Sequence, residues 1–242
     1  MLEILYQDLS FIAVNKPSGL LVHRSKIDRH ETAFALQQVR DQIGQRVYPF
    51  HRLDKPTSGV LLFALNPDAA RLMTEMFTSG KPHKRYLAVV RGYTKRDDVI
   101  DYPLNEELDK MTDQRASQNK AAQTAVTHYR CVATVELPHA VGRYQSARYS
   151  LIEVTPETGR KHQIRRHMKH IFHPIIGDTT HGDGKHNQLF RNRYGCHRLL
   201  LHAAELRFTH PINGERVSIE APLDDTFSQV AKLFQLSKAS RG

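Results

Sequence analysis

The alternation of apolar and polar residues predicts strands in the first part of the chain. Residues 2–14 carry apolar runs on either side of Gln7 and Asp8, which is typical of a short hairpin ending at the turn 15–19. The run 59–65 is apolar on both faces, as expected of a strand buried on both sides of a sheet. The segment 86–90 predicts a second strand.

Helical spacing of apolar residues predicts helices between these strands. A first helix is expected over 35–43, ended by Gly44. Asn66 is expected to cap a second helix, with Pro67 at its first position and Gly80 after its end. Helix and strand patterns therefore alternate irregularly here, without the regular repeat of a doubly wound sheet.

The second half of the chain begins with a polar excursion over 94–125, which is expected to be surface loop. Four strands and two helices are predicted after it: strands at 126–135, 147–155, 199–208 and 216–221, a helix from about Lys161, and a closing helix over about 225–236. The pattern indicates an α+β fold with a mixed, mainly antiparallel sheet flanked by helices and loops. A sheet that divides into two subdomains with a central cleft between them is the alternative to one continuous unit. One continuous domain over 1–242 is expected.

The composition of the chain indicates a polyanionic partner. The chain has 35 Lys and Arg against 25 Asp and Glu, a net charge of +10, which suits nucleic acid. The two cysteines, Cys131 and Cys196, lie far apart without a partner motif, so we expect a reducing cytoplasm. No export signal or apolar run of membrane-spanning length is apparent, and no membrane association is expected.

The segment HRLDKPTSG at 51–59 places an acid between basic residues, just before the most apolar predicted strand. A loop fixed to a rigid central strand can hold Asp54 ionised and aim it into a cleft. The same residue types are also the commonest turn formers, so an ordinary turn is the alternative.

A basic segment follows the middle strands. Residues 160–198 contain nine Lys or Arg, seven His and only two acids, Asp178 and Asp183. Such a segment is typical of a surface that binds phosphates. Within it, a helix is expected to place Ile164, Met168 and Ile171 on an apolar stripe, and Lys161, Arg165 and Lys169 on a charged stripe.

Four histidines of this segment, at 162, 167, 170 and 173, raise the question of a metal site. We expect none, because neighbouring arginines and lysines repel a divalent ion and no carboxylate lies among them. Phosphate or base contacts, or solvated surface, are the alternatives. The sequence also lacks a glycine-rich phosphate loop, a serine elbow and an HExxH pattern, so no cofactor is expected.

Six ordered segments together resemble the RluA-type pseudouridine synthases. They are NKPSG at 15–19, HRLDKPTSG at 51–59, KRYLAVVRG at 84–92, GRKHQIRRHM at 159–168, HPIIGDTTHG at 173–182 and LHA at 201–203. Three further segments resemble the tRNA pseudouridine synthase C subfamily: HRSKIDRHE at 23–31, YPLNEELDK at 102–110 and RRHMKHIFHPIIGD at 165–178. The resemblance implies a catalytic domain that grips RNA itself, without an N-terminal S4 module.

The resemblance also implies roles for individual residues. Asp54 matches the catalytic aspartate, Tyr86 the active-site tyrosine and proposed base, and Arg165 the arginine that pairs with the aspartate. Ile164 matches an apolar residue beside the target base, and Arg52 an arginine that fills the gap left by the flipped nucleotide. Further substrate contacts are expected from three basic residues of the same segments: His51, Lys161 and His162.

The implied activity is isomerisation of uridine to pseudouridine in structured RNA, at position 65 in the T-stem of tRNA. The expected partner is thus tRNA, and a monomer without an obligatory protein partner is expected. An enzyme of the same family acting on ribosomal RNA, a uracil-excising glycosylase and a non-catalytic RNA-binding protein are the alternatives.

Overall fold

The computed structural model of the chain describes residues 1–23, 32–106 and 121–239. The chain forms two compact units, each assembled from separate stretches. Unit 1 comprises Met1–Lys84, Pro103–Ala125 and Ala203–Pro222, and unit 2 comprises Arg85–Tyr102, Val126–His202 and Leu223–Gly242. The single catalytic domain and the central cleft expected from the sequence stay predictions.

Strands and helices are mixed along the chain. The strands are β1 (Glu3–Gln7), β2 (Phe11–Lys16), β3 (Tyr48–Pro49), β4 (Ser58–Ala64), β5 (His83–Arg91), β6 (Asp97–Asp101), β7 (Val126–Leu137), β8 (Ala147–Pro156), β9 (Leu201–Thr209) and β10 (Arg216–Glu220). The helices are α1 (Ala35–Ile43), α2 (Pro67–Thr78), α3 (Gln163–His170), α4 (Gly184–Tyr194) and α5 (Asp225–Ala239). Strand pairs with a described register are antiparallel, which confirms the α+β class. In the described ranges, no helix has the length and apolar character needed to cross a membrane.

In unit 1, strands follow the order β1-β2-β4-β9, with β3 beside β4 and β10 beside β9. All seven residues of β4 are buried, as the apolar run predicts. Its side chains pack with Phe11 of β2, Met73 of α2 and Phe208 of β9 in one hydrophobic core. Burial of such large apolar side chains fixes β4 as the rigid element of this unit.

In unit 2, strands follow the order β5-β8-β7-β6. Alternate residues of β5 enter different cores, since Ala88 packs with Met168 of α3 whereas Val89 packs with Phe190 of α4 and Phe227 of α5. The sheet is therefore covered on both faces. This arrangement places α3, with its basic side chains, directly against the sheet.

The residues predicted to begin and end helices in the first half of the chain are confirmed. Gly44 ends α1 in the left-handed conformation, with φ 65°. Asn66 caps α2, because its side-chain Oδ1 accepts a hydrogen bond of 2.8 Å from the backbone N–H of Ala69. The hairpin expected over 2–14 is formed by β1 and β2.

One prediction of secondary structure is wrong, and one helix was not predicted. The excursion 94–125 was expected to be loop, yet it contains β6, an edge strand in which Ile100 is buried beside charged residues. Charge on an edge strand discourages pairing with other chains, and it also hides the strand pattern. No helix was predicted at α4, whose amphipathic character is weak. Residues 107–120 of the excursion lie outside the described residues.

Candidate active site

The loop that carries Asp54 is tied to the turn after β2. The backbone N–H of Gly19 donates to the carbonyl of Lys55 at 2.9 Å, and the Ser18 hydroxyl donates to the carbonyl of Pro56 at 2.7 Å. The N–H of Thr57 donates to the carbonyl of Asp54 itself at 3.0 Å and closes a turn. The first two sequence motifs thus form one hydrogen-bonded structure.

A buried lysine lies beneath this structure. Lys16, with no exposed surface, donates from Nζ to the carbonyls of Pro17 at 2.9 Å, Leu20 at 2.7 Å and Lys55 at 3.1 Å. Charge-assisted hydrogen bonds to several carbonyls hold a loop more strongly than neutral ones. Lys16 was not among the predicted site residues, although a lysine inside the apolar run 11–16 was a visible signal.

Close approach of two strands fixes the other end of the loop. Gly59 at the start of β4 has φ 110°, and a Cβ atom there would lie 2.2 Å from the carbonyl oxygen of Ala203 in β9. Only glycine fits such a conformation and such a distance. The backbone after Asp54 is therefore fixed within a few residues on either side.

His51 supports the same loop through its ring. Its Nε2 accepts a hydrogen bond of 3.0 Å from the backbone N–H of Leu62 in β4. The ring stacks on Phe77 at 4.8 Å, with an interplanar angle of 24°. Burial, together with the positive charge of Lys84, lowers the pKa of His51 to about 4. His51 is therefore neutral at physiological pH and carries its proton on Nδ1, while its predicted role as a substrate contact stays a prediction.

The remaining predicted residues of unit 1 differ in exposure. Arg52 is exposed, whereas Asp54 is half-buried. An exposed guanidinium is free to reach a polyanion, and a half-buried carboxylate on a fixed backbone keeps a defined direction. The roles that the family resemblance implies for Arg52 and Asp54 stay predictions.

Helix α3 carries two of the predicted residues of unit 2, Ile164 and Arg165. Ile164 is buried in the same hydrophobic cluster as Met168, and Tyr86 of β5 packs against that cluster, half-buried. The structure thus brings Tyr86 and Ile164 together, and the apolar stripe of α3 is confirmed. Lys161 is exposed just before α3. His162 precedes the helix with φ 55°, and its Nδ1 lies 3.1 Å from Nε2 of His181.

Arg165 is buried in α3, with only 4% of its side chain exposed. Its Nε and Nη2 donate to the two carboxylate oxygens of Asp178 at 2.7 and 2.9 Å. This bidentate geometry fixes the plane of the guanidinium. The expected charged stripe of Lys161, Arg165 and Lys169 is therefore wrong at Arg165, because burial and Asp178 draw it inward. Pairing of Arg165 with Asp54 stays a prediction.

Asp178 is a second residue that sequence reasoning missed. Besides Arg165, its carboxylate accepts hydrogen bonds of 2.9 Å from the backbone N–H groups of Thr180 and His181. Burial alone would raise the pKa of Asp178, but these hydrogen bonds and the guanidinium of Arg165 lower it. The signal was present, because Asp178 is the first acid after a stretch of 20 residues without one, 158–177. Buried arginines need such a partner.

The histidines that suggested a metal site have partners within the protein. His167 is fully buried, with Nε2 at 2.9 Å from the carbonyl of Tyr102 and Nδ1 at 2.9 Å from the hydroxyl of Thr127. Nδ1 of His173 donates to the carbonyl of Arg91 at 2.8 Å. Among the described residues, no cluster of three or more His, Cys, Asp or Glu side chains is arranged to hold a metal ion.

Comparisons with known proteins agree with this arrangement. The family model described as RNA pseudouridylate synthase matches residues 10–170. The tRNA pseudouridine synthase C of Vibrio parahaemolyticus is 56% identical over 97% of this chain and 95% of its own, and that of Haemophilus influenzae is 54% identical over 97% and 98%. The solved structure of human RNA pseudouridylate synthase domain containing 4 aligns with a TM-score of 0.70 and 26% identity, covering 96% of this chain and 93% of that chain. The chain belongs to the RNA pseudouridylate synthase family.

Proposed function

We propose that the chain isomerises uridine to pseudouridine in transfer RNA, at position 65 in the T-stem. Membership of the family and the names of the relatives support the activity and the class of RNA. The observation that carries the proposal is the Asp54 loop, which Lys16, Ser18 and Gly59 hold in place around a half-buried carboxylate. A preorganised carboxylate is what chemistry at a glycosidic carbon requires.

The reaction breaks the bond from N1 to C1′, turns the uracil and joins C5 to C1′, so that no atom is added or lost. The target base must leave the helix, at a cost of a few kcal/mol of stacking and pairing. Exposed Arg52 offsets part of that cost by occupying the space of the flipped base. Ile164 packs beside the uracil, and His51, Lys161 and His162 contribute to binding of the RNA.

Asp54 acts ionised in each of the three steps open to it: attack on C1′, stabilisation of an oxocarbenium-like sugar, or removal of the 2′ proton. A positive partner keeps a carboxylate ionised and fixes its direction, which is the role we assign to Arg165. Asp178 orients Arg165 from the other side through two hydrogen bonds. After C5 has bonded to C1′, Tyr86 accepts the C5 proton as its own phenolic proton passes to solvent, and solvent supplies the proton that N1 gains.

The decisive variant is Asp54→Asn, which keeps the shape of the side chain and removes its charge. We expect unchanged folding and binding of an unmodified tRNA transcript, with loss of product by at least about 10⁴-fold, the scale seen when a central catalytic group is lost. Carbodiimide-dependent reverse-transcription stops map the product, and mass spectrometry of the RNA tests the reaction type.

Three outcomes would contradict the proposal. Pseudouridine formation by pure Asp54→Asn protein removes Asp54 from the mechanism. Loss of mass from the RNA, with free uracil in solution, identifies a glycosylase, because isomerisation leaves the mass unchanged. A product that maps to ribosomal RNA, or to another tRNA position, overturns the assignment of substrate.

A further inference from the structure

Phe172 has an unusual backbone conformation just beyond the end of α3. Its φ is 64°, in the left-handed region, and among the described residues only His162 shares a positive φ without being glycine. For a bulky side chain this region is strained, and glycine is its usual occupant. Phe172 therefore lies where glycine would be more stable.

The turn at Phe172 is made by backbone atoms. The N–H of Phe172 donates to the carbonyl of Lys169 at 3.0 Å, and the N–H of His173 donates to the carbonyl of Met168 at 2.8 Å. These are the two hydrogen bonds of a Schellman motif, which ends a helix with a left-handed residue. Glycine would form both bonds equally well, so the phenyl ring is not needed to end α3.

The ring of Phe172 is also not part of a core. Its exposure is 79%, whereas its neighbours Ile171 and Pro174 are half-buried and buried. An exposed large apolar side chain is unfavourable in water, and here it adds to backbone strain. Backbone strain of this kind clusters at active sites and ligand contacts.

The charge around Phe172 indicates the chemistry of its partner. The stretch 159–177 contains five Lys or Arg and four His, without an acid. Lys169 and His170 are exposed in the last turn of α3, directly before it. Aromatic faces stack on unstacked bases while neighbouring cations bind phosphates, a combination that single-stranded or opened RNA favours.

We propose that Phe172 is a stacking contact for a nucleobase that is unstacked in the bound RNA. The inference rests on the proposed function, since it identifies a substrate contact of that enzyme. Stacking on a base compensates for the free energy that the strained, exposed ring costs in the absence of RNA. Phe172 thus lowers the stability of the protein and raises its affinity for RNA.

The test compares Phe172→Gly, Phe172→Leu and Phe172→Tyr with the unchanged protein, using an unmodified tRNA transcript as probe. Phe172→Gly should raise the melting temperature by about 2–4 °C, because the strain is relieved. It should also weaken tRNA binding about 5-fold to 30-fold, the lower part of the range for loss of an aromatic stacking contact. Phe172→Leu should lose affinity similarly, and Phe172→Tyr should restore it.

Leu9→Ala serves as the matched control, because Leu9 is 96% exposed, lies outside the sequence motifs and follows the acidic Asp8. It should leave tRNA binding unchanged. Equal affinity of all Phe172 variants would overturn the inference, as would a lower melting temperature in Phe172→Gly, which would assign the ring a structural role. A change of oligomeric state in Phe172→Gly, by light scattering, would assign the ring to a protein interface. Absence of pseudouridine formation by the unchanged protein would instead contradict the proposed function.

Discussion

Single polar residues hold the Asp54 loop from inside unit 1. Lys16 donates to three carbonyls, and His51 accepts from the backbone of β4, so both side chains have defined partners. Buried groups of this kind rigidify a loop, because their hydrogen bonds compensate for the cost of desolvation in only one geometry of the loop. Because only one geometry satisfies these buried groups, a change in their protonation should disturb the loop.

His51 predicts a dependence of stability on pH. Its pKa is about 4 in the folded protein and 6.5 in the unfolded chain, so the unfolded chain gains the proton first. The free energy of unfolding should be unaffected by His51 above pH 6.5 and should fall by on the order of 2–3 kcal/mol as pH decreases toward 4.

The measurement is urea unfolding over this pH range in the unchanged protein and in His51→Gln, which keeps an acceptor near Nε2 without a titrating group. Burial also lowers the pKa of His167 and His186, but both proteins share those residues. The variant should show the shallower pH dependence. Identical pH dependence in the two proteins would contradict the assigned environment of His51.

At the scale of elements, α3 and the segment after it form one structure. Arg165 and Asp178 join them through a bidentate pair that is nearly inaccessible to water. The carbonyl of Asp178 in turn accepts a hydrogen bond of 2.8 Å from Nδ2 of Asn187 in α4. The direction of the Arg165 side chain is therefore set by three segments of unit 2.

Asp178→Asn should destabilise the protein by about 3 kcal/mol, since it removes a buried negative charge that faces a guanidinium. Pseudouridine formation should fall further than the loss of folded protein explains, because Arg165 loses its orientation. Urea unfolding and single-turnover assays measure the two effects.

Asp183→Asn is the matched control for this variant. Asp183 also pairs with an arginine, Arg91, but both side chains are partly exposed, and asparagine retains the helix cap of α4. Its cost should stay below about 1 kcal/mol. Equal effects of the two substitutions would show that burial of the Arg165 pair is unimportant.

At the scale of the whole molecule, a charge of +10 predicts that affinity for RNA depends strongly on salt. With four or five phosphate contacts, tRNA affinity should fall about 100-fold to 500-fold between 50 and 200 mM salt.

Lys161→Gln should reduce the slope of log affinity against log salt by about one. Filter binding measures the slope, with Lys232→Gln in α5 as control; an unchanged slope in Lys161→Gln would remove it from the interface.

Much of the fold followed from the sequence, because apolar periodicity and capping residues act locally. The buried run of β4 and the glycine after α1 are of this kind. Edge strand β6 and helix α4 were missed, since few of their residues enter a core. The inward position of Arg165 depends on Asp178, 13 residues later in the chain, and helical spacing carries no information about such a partner.

The contact between Gly59 and Ala203 has a consequence for biosynthesis. Gly59 leaves the ribosome well before β9, the strand that closes over it. During translation the Asp54 segment lacks that neighbour, although it already has its ties to β2. The nascent chain therefore cannot complete the Asp54 loop before β9 has been made, and truncated products that end before Ala203 should be inactive on RNA.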